Sequence, residues 1–279
     1  MLLPVYKERI VHPLFYITQE YLMKAVDWNT YARAYDLLCA IRPYRAMHRT
    51  ASALMKHHHK KHGDYILDAG CGTGNFMTHL AVHKVPKSHM IGIDASSIMC
   101  IAARKKHGES GARIYEGSLN AQLPFQESMF SGIACINALY AVHDPVETVR
   151  EFARVLRPDG ALLIATPHEK ANIGLILKAH AKSFKSDYYW MQFSKGGDIA
   201  RELIAEACKH DNLNPHLLEV VFSANTAITE DTHMHFMSAA RLNEVCLRAG
   251  LTVQGIQETY GGQAHLAYVT HSSKERRAA

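Results

Sequence analysis

One stretch constrains this chain more than any other: Tyr-Ile-Leu-Asp-Ala-Gly-Cys-Gly-Thr-Gly-Asn, from Tyr65 to Asn75. Tyr65 to Leu67 is a short apolar run that reads as a buried parallel strand, closed by the acid Asp68. Three glycines follow at alternate positions, Gly70, Gly72 and Gly74, and a helical pattern begins near Phe76. A strand that turns this sharply into a helix needs residues without Cβ, both to make the turn and to admit a ligand against the main chain. At the carboxyl ends of a parallel sheet the natural occupant is a nucleoside-bearing molecule.

Spacing narrows the choice of ligand. A dinucleotide fingerprint needs G-x-G-x-x-G, and a phosphate-binding loop of the Walker type needs Lys and Ser/Thr after its last glycine. Here the form is D-x-G-x-G-x-G, with neither residue following. In this form the stretch resembles the first motif of the class I S-adenosylmethionine-dependent methyltransferases, of the small-molecule type with a ubiquinone/menaquinone-methyltransferase-like core. The resemblance implies S-adenosylmethionine as cofactor, with Asp68, Gly70, Gly72 and Gly74 at its amino-acid end.

Later segments fit the same reading. Met90 to Asp94 is a second apolar run ending in an acid, 26 residues after Asp68, where nucleotide-binding α/β folds place a carboxylate on the ribose hydroxyls. Ala95 follows it, Ser96 can cap the next helix, and Met99 stands where the family often sets an apolar residue against adenine. Ala112 to Ser118 reads as the third strand and its exit. The family often carries an aspartate there, and this chain offers Ser118, Asn120 or the Leu119 backbone instead. Gly132 to Tyr140 is the fourth strand and its loop, which brings Asn137 beside the methionine portion of the cofactor. Val146 to Leu156 reads as a helix, Arg157-Pro-Asp-Gly160 resembles the family marker before the fifth strand, and Ala161 to Thr166 is that strand. Strand and helix alternating five times predict a doubly wound, mostly parallel seven-stranded α/β sheet. Its last two strands, Leu251 to Thr259 and His265 to Thr270, are expected to form an antiparallel edge hairpin.

Residues 1–63 are expected to be an N-terminal helical lid and 64–168 the cofactor-binding core. An inserted cap should occupy 169–238, and 239–279 should return to the core. In the lid, Trp28, Tyr31, Tyr35 and Leu38 fall at helical spacing and predict one amphipathic helix, followed by another from Ala46 to His59. The family resemblance places Tyr31 and Tyr35 near the cofactor, where a tyrosine face attracts a sulfonium by about 1–2 kcal/mol when desolvated. In the cap, Ile173 to His180 and Ile199 to His210 read as helices, and Tyr188, Tyr189, Trp190 and Phe193 are either its core or a wall for a planar substrate. Tyr260 and Gln263 stand near the expected substrate entrance.

Methyl transfer from a sulfonium is an in-line displacement with an excellent leaving group, so positioning and desolvation carry most of the catalysis. A base is needed only where the nucleophile must lose a proton. Tyr140 and His143 are the catalytic candidates beyond the fourth strand. Related proteins often have histidine at the position of Tyr140, so Tyr140 reads as an orienting group rather than a base.

The net charge of +5 is local, in Lys56 to His62 and in the Lys274 to Arg277 tail, without the interleaved aromatics of a nucleic-acid surface. A base-flipping enzyme of this family would carry an N-P-P-Y-type loop, whereas Asn-Ala-Leu-Tyr stands at 137–140. No apolar run of about 18 residues predicts a membrane span, and six scattered cysteines fit a reducing cytoplasm. His233 and His235 lack companions at zinc-ligand spacing, so no metal is expected. The expected partners are a small-molecule substrate and, at most, a second copy of the chain as a homodimer. The leading function is methyl transfer to an oxygen, nitrogen or carbon nucleophile. A lyase or cyclase releasing methylthioadenosine, and a non-catalytic cofactor-binding protein, are the alternatives.

Overall fold

The computed structural model describes residues 26–59, 63–172, 175–176, 178–179 and 215–272. Tyr188, Tyr189, Trp190, Phe193 and the expected 199–210 helix lie outside the described residues. Seven strands form one sheet: β1 (Tyr65–Ala69), β2 (Met90–Asp94), β3 (Arg113–Glu116), β4 (Phe130–Ile136), β5 (Leu156–Pro167), β6 (Leu251–Thr259) and β7 (Ala264–His271). Their spatial order is β3-β2-β1-β4-β5-β7-β6. The first five run parallel, and β7 is antiparallel to both of its neighbours. Strand order reverses between β1 and β4, which opens a crevice at their carboxyl ends.

Burial explains why these segments become strands. All seven residues of β4 are buried, as a central parallel strand covered on both faces requires, and its one polar side chain, Ser131, donates to the Tyr65 carbonyl at 3.2 Å. One face of the sheet is covered by α2 (Arg42–Met55) and α3 (Asn75–Val82), through Met47, Ala51, Met55, Phe76 and Leu80. The other is covered by α5 (Pro145–Val155) and α7 (Ala239–Arg248), through Val149, Phe152, Leu242 and Val245. Beside β2 and β3 lies α4 (Ser97–His107), and α6 (Pro215–Glu230) approaches the N-terminal segment. Gly132 lets α2 lie directly on β4, since a Cβ there would stand 2.2 Å from Met55 Sδ.

Several expectations change. The lid helix is not continuous: α1 (Trp28–Ala32), capped by the Asp27 carboxylate, gives way to a 3₁₀ turn over Tyr35–Ala40. The tighter turn buries Tyr31, Ala34 and Leu38 together, so packing overrides helical continuity. The next helix begins at Arg42, not Ala46, because Pro43 is tolerated in a first turn, and it ends in a 3₁₀ turn after Met55. No helix joins β3 to β4; Leu123 and Phe125 bury themselves in that loop and replace it. The Arg157–Gly160 marker lies inside β5 rather than ahead of it. Arg157 donates to Asp64 Oδ1 at 2.7 Å and to the Gly63 carbonyl at 2.9 Å, tying β5 to the approach of β1. In the terminal hairpin only β6 is an edge, because β7 pairs with β5 over Leu162–Pro167.

Phe152 is fully buried between α5 and the sheet. Phe152→Ala should cost about 3–5 kcal/mol of unfolding free energy, read as a lowered urea midpoint at unchanged slope.

Candidate active site

Two cavities meet at the switch point. The outer one encloses about 390 Å³, within the range of small-molecule sites. Its floor is the glycine turn, with Gly70 and Gly72, and one wall is the end of β2, with Asp94, Ala95, Ser96 and Met99. Ser118, Leu119 and Asn120 line the third side, Asn137 and Ala138 the fourth, and Trp28, Asn29 and Tyr35 cover it.

The Asp94 carboxylate holds this floor. Its Oδ2 accepts from the Gly72 amide at 2.8 Å and its Oδ1 from the Ser96 amide at 2.9 Å. Burial raises its pKa, and the two amide bonds draw it back. Gly70 has φ +72°, and a Cβ there would lie 2.3 Å from Ala138 Cβ, so only glycine leaves the cradle open. Ser96 Oγ accepts from the Met99 amide and donates to Asn29 Oδ1 at 2.8 Å. Of the polar groups beyond β3, some are already committed: Ser118 Oγ accepts from the Asn120 amide, and Asn120 Oδ1 from the His143 amide.

The inner cavity is smaller, about 40 Å³, and lies beneath Tyr31, Tyr35, Asn137, Tyr140, Asn225 and Tyr260. Tyr35 and Asn137 line both cavities and form the passage between them. Asn137 has φ +54°, and its buried Oδ1 has no hydrogen-bond partner among the described residues. The Tyr31 hydroxyl accepts from Asn225 Nδ2 at 2.7 Å. Burial, followed by the neighbouring Tyr31, pushes the Tyr140 hydroxyl far above its usual range, and burial does the same to Tyr31, Tyr35 and Tyr260. These hydroxyls stay protonated.

The other sequence candidates lie apart from both cavities. Asp68 is buried behind the turn, and Gly74 packs against His107. His143 is exposed and lines neither chamber. The His235 amide donates to the Tyr140 carbonyl at 2.7 Å, and its ring contacts the His143 carbonyl, so His235 shapes the loop from outside. Sequence reasoning missed Asn225, Trp28 and Asn29 as cavity walls. An amide within an apolar helix was the available signal for Asn225.

Asp68 carries a pH dependence of its own. Burial, reinforced by the charge of Asp94, lifts its pKa from 3.8 to about 8, and its Oδ2 has no partner among the described residues. The native state therefore keeps a proton that the unfolded chain has lost, and stability of the unliganded protein should fall as pH rises from about 4 to about 8. Asp68→Asn should raise Tm more at pH of about 8 than at about 5; equal shifts in differential scanning calorimetry would contradict the raised pKa.

Residues 67–164 match a family model described as a methyltransferase domain. A demethylmenaquinone methyltransferase of Symbiobacterium thermophilum is 27% identical over 172 residues, covering 57% of this chain and 60% of that protein. Another, from Lactococcus lactis, is 28% identical over 184 residues, covering 60% and 72%. The fold matches a chain in the complex of the Haloferax volcanii Trm112 methyltransferase activator with a methyltransferase. That match has a TM-score of 0.56 and 17% identity, covering 88% of this chain and 98% of that one. It also matches the magnesium protoporphyrin IX methyltransferase of Synechocystis PCC 6803 with bound S-adenosylhomocysteine, at a TM-score of 0.53, 15% identity and 88% and 94% coverage. The open glycine cradle, the carboxylate at the end of β2 and the Asn137 amide at the cavity wall fit an S-adenosylmethionine donor, and residues 67–164 carry a methyltransferase domain.

Proposed function

We propose that this chain methylates a small, planar, hydroxylated aromatic acceptor whose reacting edge enters the inner cavity. The observation that carries the proposal is the shared wall: a cofactor-sized cavity opens onto a tyrosine-lined one through Tyr35 and Asn137. The demethylmenaquinone methyltransferases among the relatives support an acceptor of this kind.

S-adenosylmethionine, when bound, supplies a methyl group on a positively charged sulfur. Asp94 accepts hydrogen bonds from the ribose hydroxyls, since one carboxylate can take both. Met99 and Leu119 flank the base, with Ser118 and Ala95 at its edge. Gly70 and Gly72 let the chain lie against the main-chain turn, and Asn137 Oδ1 accepts from the amino end. The Tyr35 ring, close over Gly72, gives the sulfonium an aromatic face. Asp68 and Gly74 support the turn from behind.

Tyr140 and Tyr31 donate to the acceptor and orient it, and the aromatic walls exclude water. A protonated tyrosine is no base, so the acceptor's own ionised hydroxyl provides the nucleophile: its oxygen bonds to the methyl carbon as the carbon–sulfur bond breaks, and no proton is left to remove. His143 takes no step in this scheme.

Incubation with S-adenosylmethionine and a panel of phenols, naphthols and hydroquinones should yield S-adenosylhomocysteine only when an acceptor is present. Acceptor-independent methylthioadenosine, read by mass spectrometry, would overturn the proposal. Asp94→Ala should weaken S-adenosylhomocysteine binding by about a hundredfold or more in calorimetry, because it removes the ribose contact and loosens the Gly72 turn. Tyr140→Phe should lower kcat/KM for the acceptor about tenfold while leaving that affinity unchanged, the signature of a lost orienting bond.

A further inference from the structure

We propose that Asp36, Thr73 and Lys106 form a latch that holds the Tyr35 turn closed over the outer cavity and so sets the rate at which the nucleoside product leaves. The latch rests on the reading of that cavity as the cofactor seat.

The covering segment crosses the mouth of the cavity, with Trp28, Asn29 and Tyr35 on its inner side. The Tyr35 ring is 3.3 Å from where a Gly72 Cβ would stand. Its neighbour Asp36 engages two other segments of the chain at one carboxylate oxygen. Asp36 Oδ1 accepts the Thr73 hydroxyl, from the glycine turn, and the Lys106 ammonium at 2.9 Å, from the last turn of α4. Lys106 Nζ also donates to Asn75 Oδ1 at 2.8 Å and to Thr73 Oγ1 at 3.3 Å.

Burial decides whether this junction matters. An exposed ion pair alone contributes little, and the Asp36 side chain is 55% exposed. Thr73 and Asn75, however, are only 1% and 4% exposed, so the ammonium and the carboxylate are fixed by charge-assisted bonds to rigid groups. At the opposite end of α4, Ser96 Oγ holds Asn29, so one helix ties down both ends of the cover. Tyr31 and Leu38 remain packed in the body when the turn lifts, which confines the opening to the Tyr35 side. Cover opening of this kind commonly limits product release.

Trp28 reports on the cover, and in a Trp190→Phe background it is the sole tryptophan of the two in the chain. Its fluorescence on stopped-flow mixing with S-adenosylhomocysteine gives association and dissociation rates from their concentration dependence. Asp36→Asn and Lys106→Met should each raise the dissociation rate about tenfold, with Tm within ~2 °C of the parent. The double variant should be slower than the product of the two single effects predicts, because both remove the Asp36–Lys106 contact. In the parent protein the dissociation rate should rise with salt, and in the variants it should not. Dissociation within about twofold of the parent in both variants, or a parent rate insensitive to salt, would overturn the latch while leaving the cofactor seat intact. A parent protein that binds no S-adenosylhomocysteine would overturn both.

Discussion

The grip of the Asp94 carboxylate on the Gly72 and Ser96 amides is the constraint on which the rest of the structure depends. It binds the turn after β1 to the start of the helix after β2, at the point where the sheet changes direction. Each partner lies where its strand delivers it, because β1 and β2 are paired in register from Ile66 with Met90 to Ala69 with Ile93. The sheet therefore fixes the spacing of the cradle before any ligand arrives. The cost is a second acid, Asp68, buried close by and pushed toward its neutral form.

That rigid floor contrasts with the cover. The floor is backbone and one carboxylate, held by strands buried on both faces. The cover is a short helix and a 3₁₀ turn, attached through a few side chains to α4 and α6. Asn225, on α6, reaches Tyr31 across 194 residues of sequence. The inner cavity thus belongs jointly to the core and to two segments outside it.

Much of the outer cavity's wall was legible in the sequence. Glycines at alternate positions, acids closing two apolar runs and an amide after the fourth strand are local patterns with local causes. Strand order carries Gly70, Gly72, Asp94 and Asn137 to the cavity wall, while Asp68 and Gly74 stay behind the turn. What was not legible depends on packing. The break between α1 and the turn after it reflects the burial of Tyr31, Ala34 and Leu38, which no helical periodicity foretells. The insertion of β7 between β5 and β6 is a choice of pairing that hairpin signals leave open. His143 and Tyr140 lie three residues apart in one loop, yet one is exposed and the other is buried beneath Phe236.

The central claim is that the outer cavity seats the cofactor with its sulfur toward the inner one. A crystal structure with S-adenosylhomocysteine tests it most directly. The account predicts the ribose on Asp94 and the sulfur at the passage between Tyr35 and Asn137. A ligand with its sulfur turned away from that passage, or seated elsewhere, would contradict it.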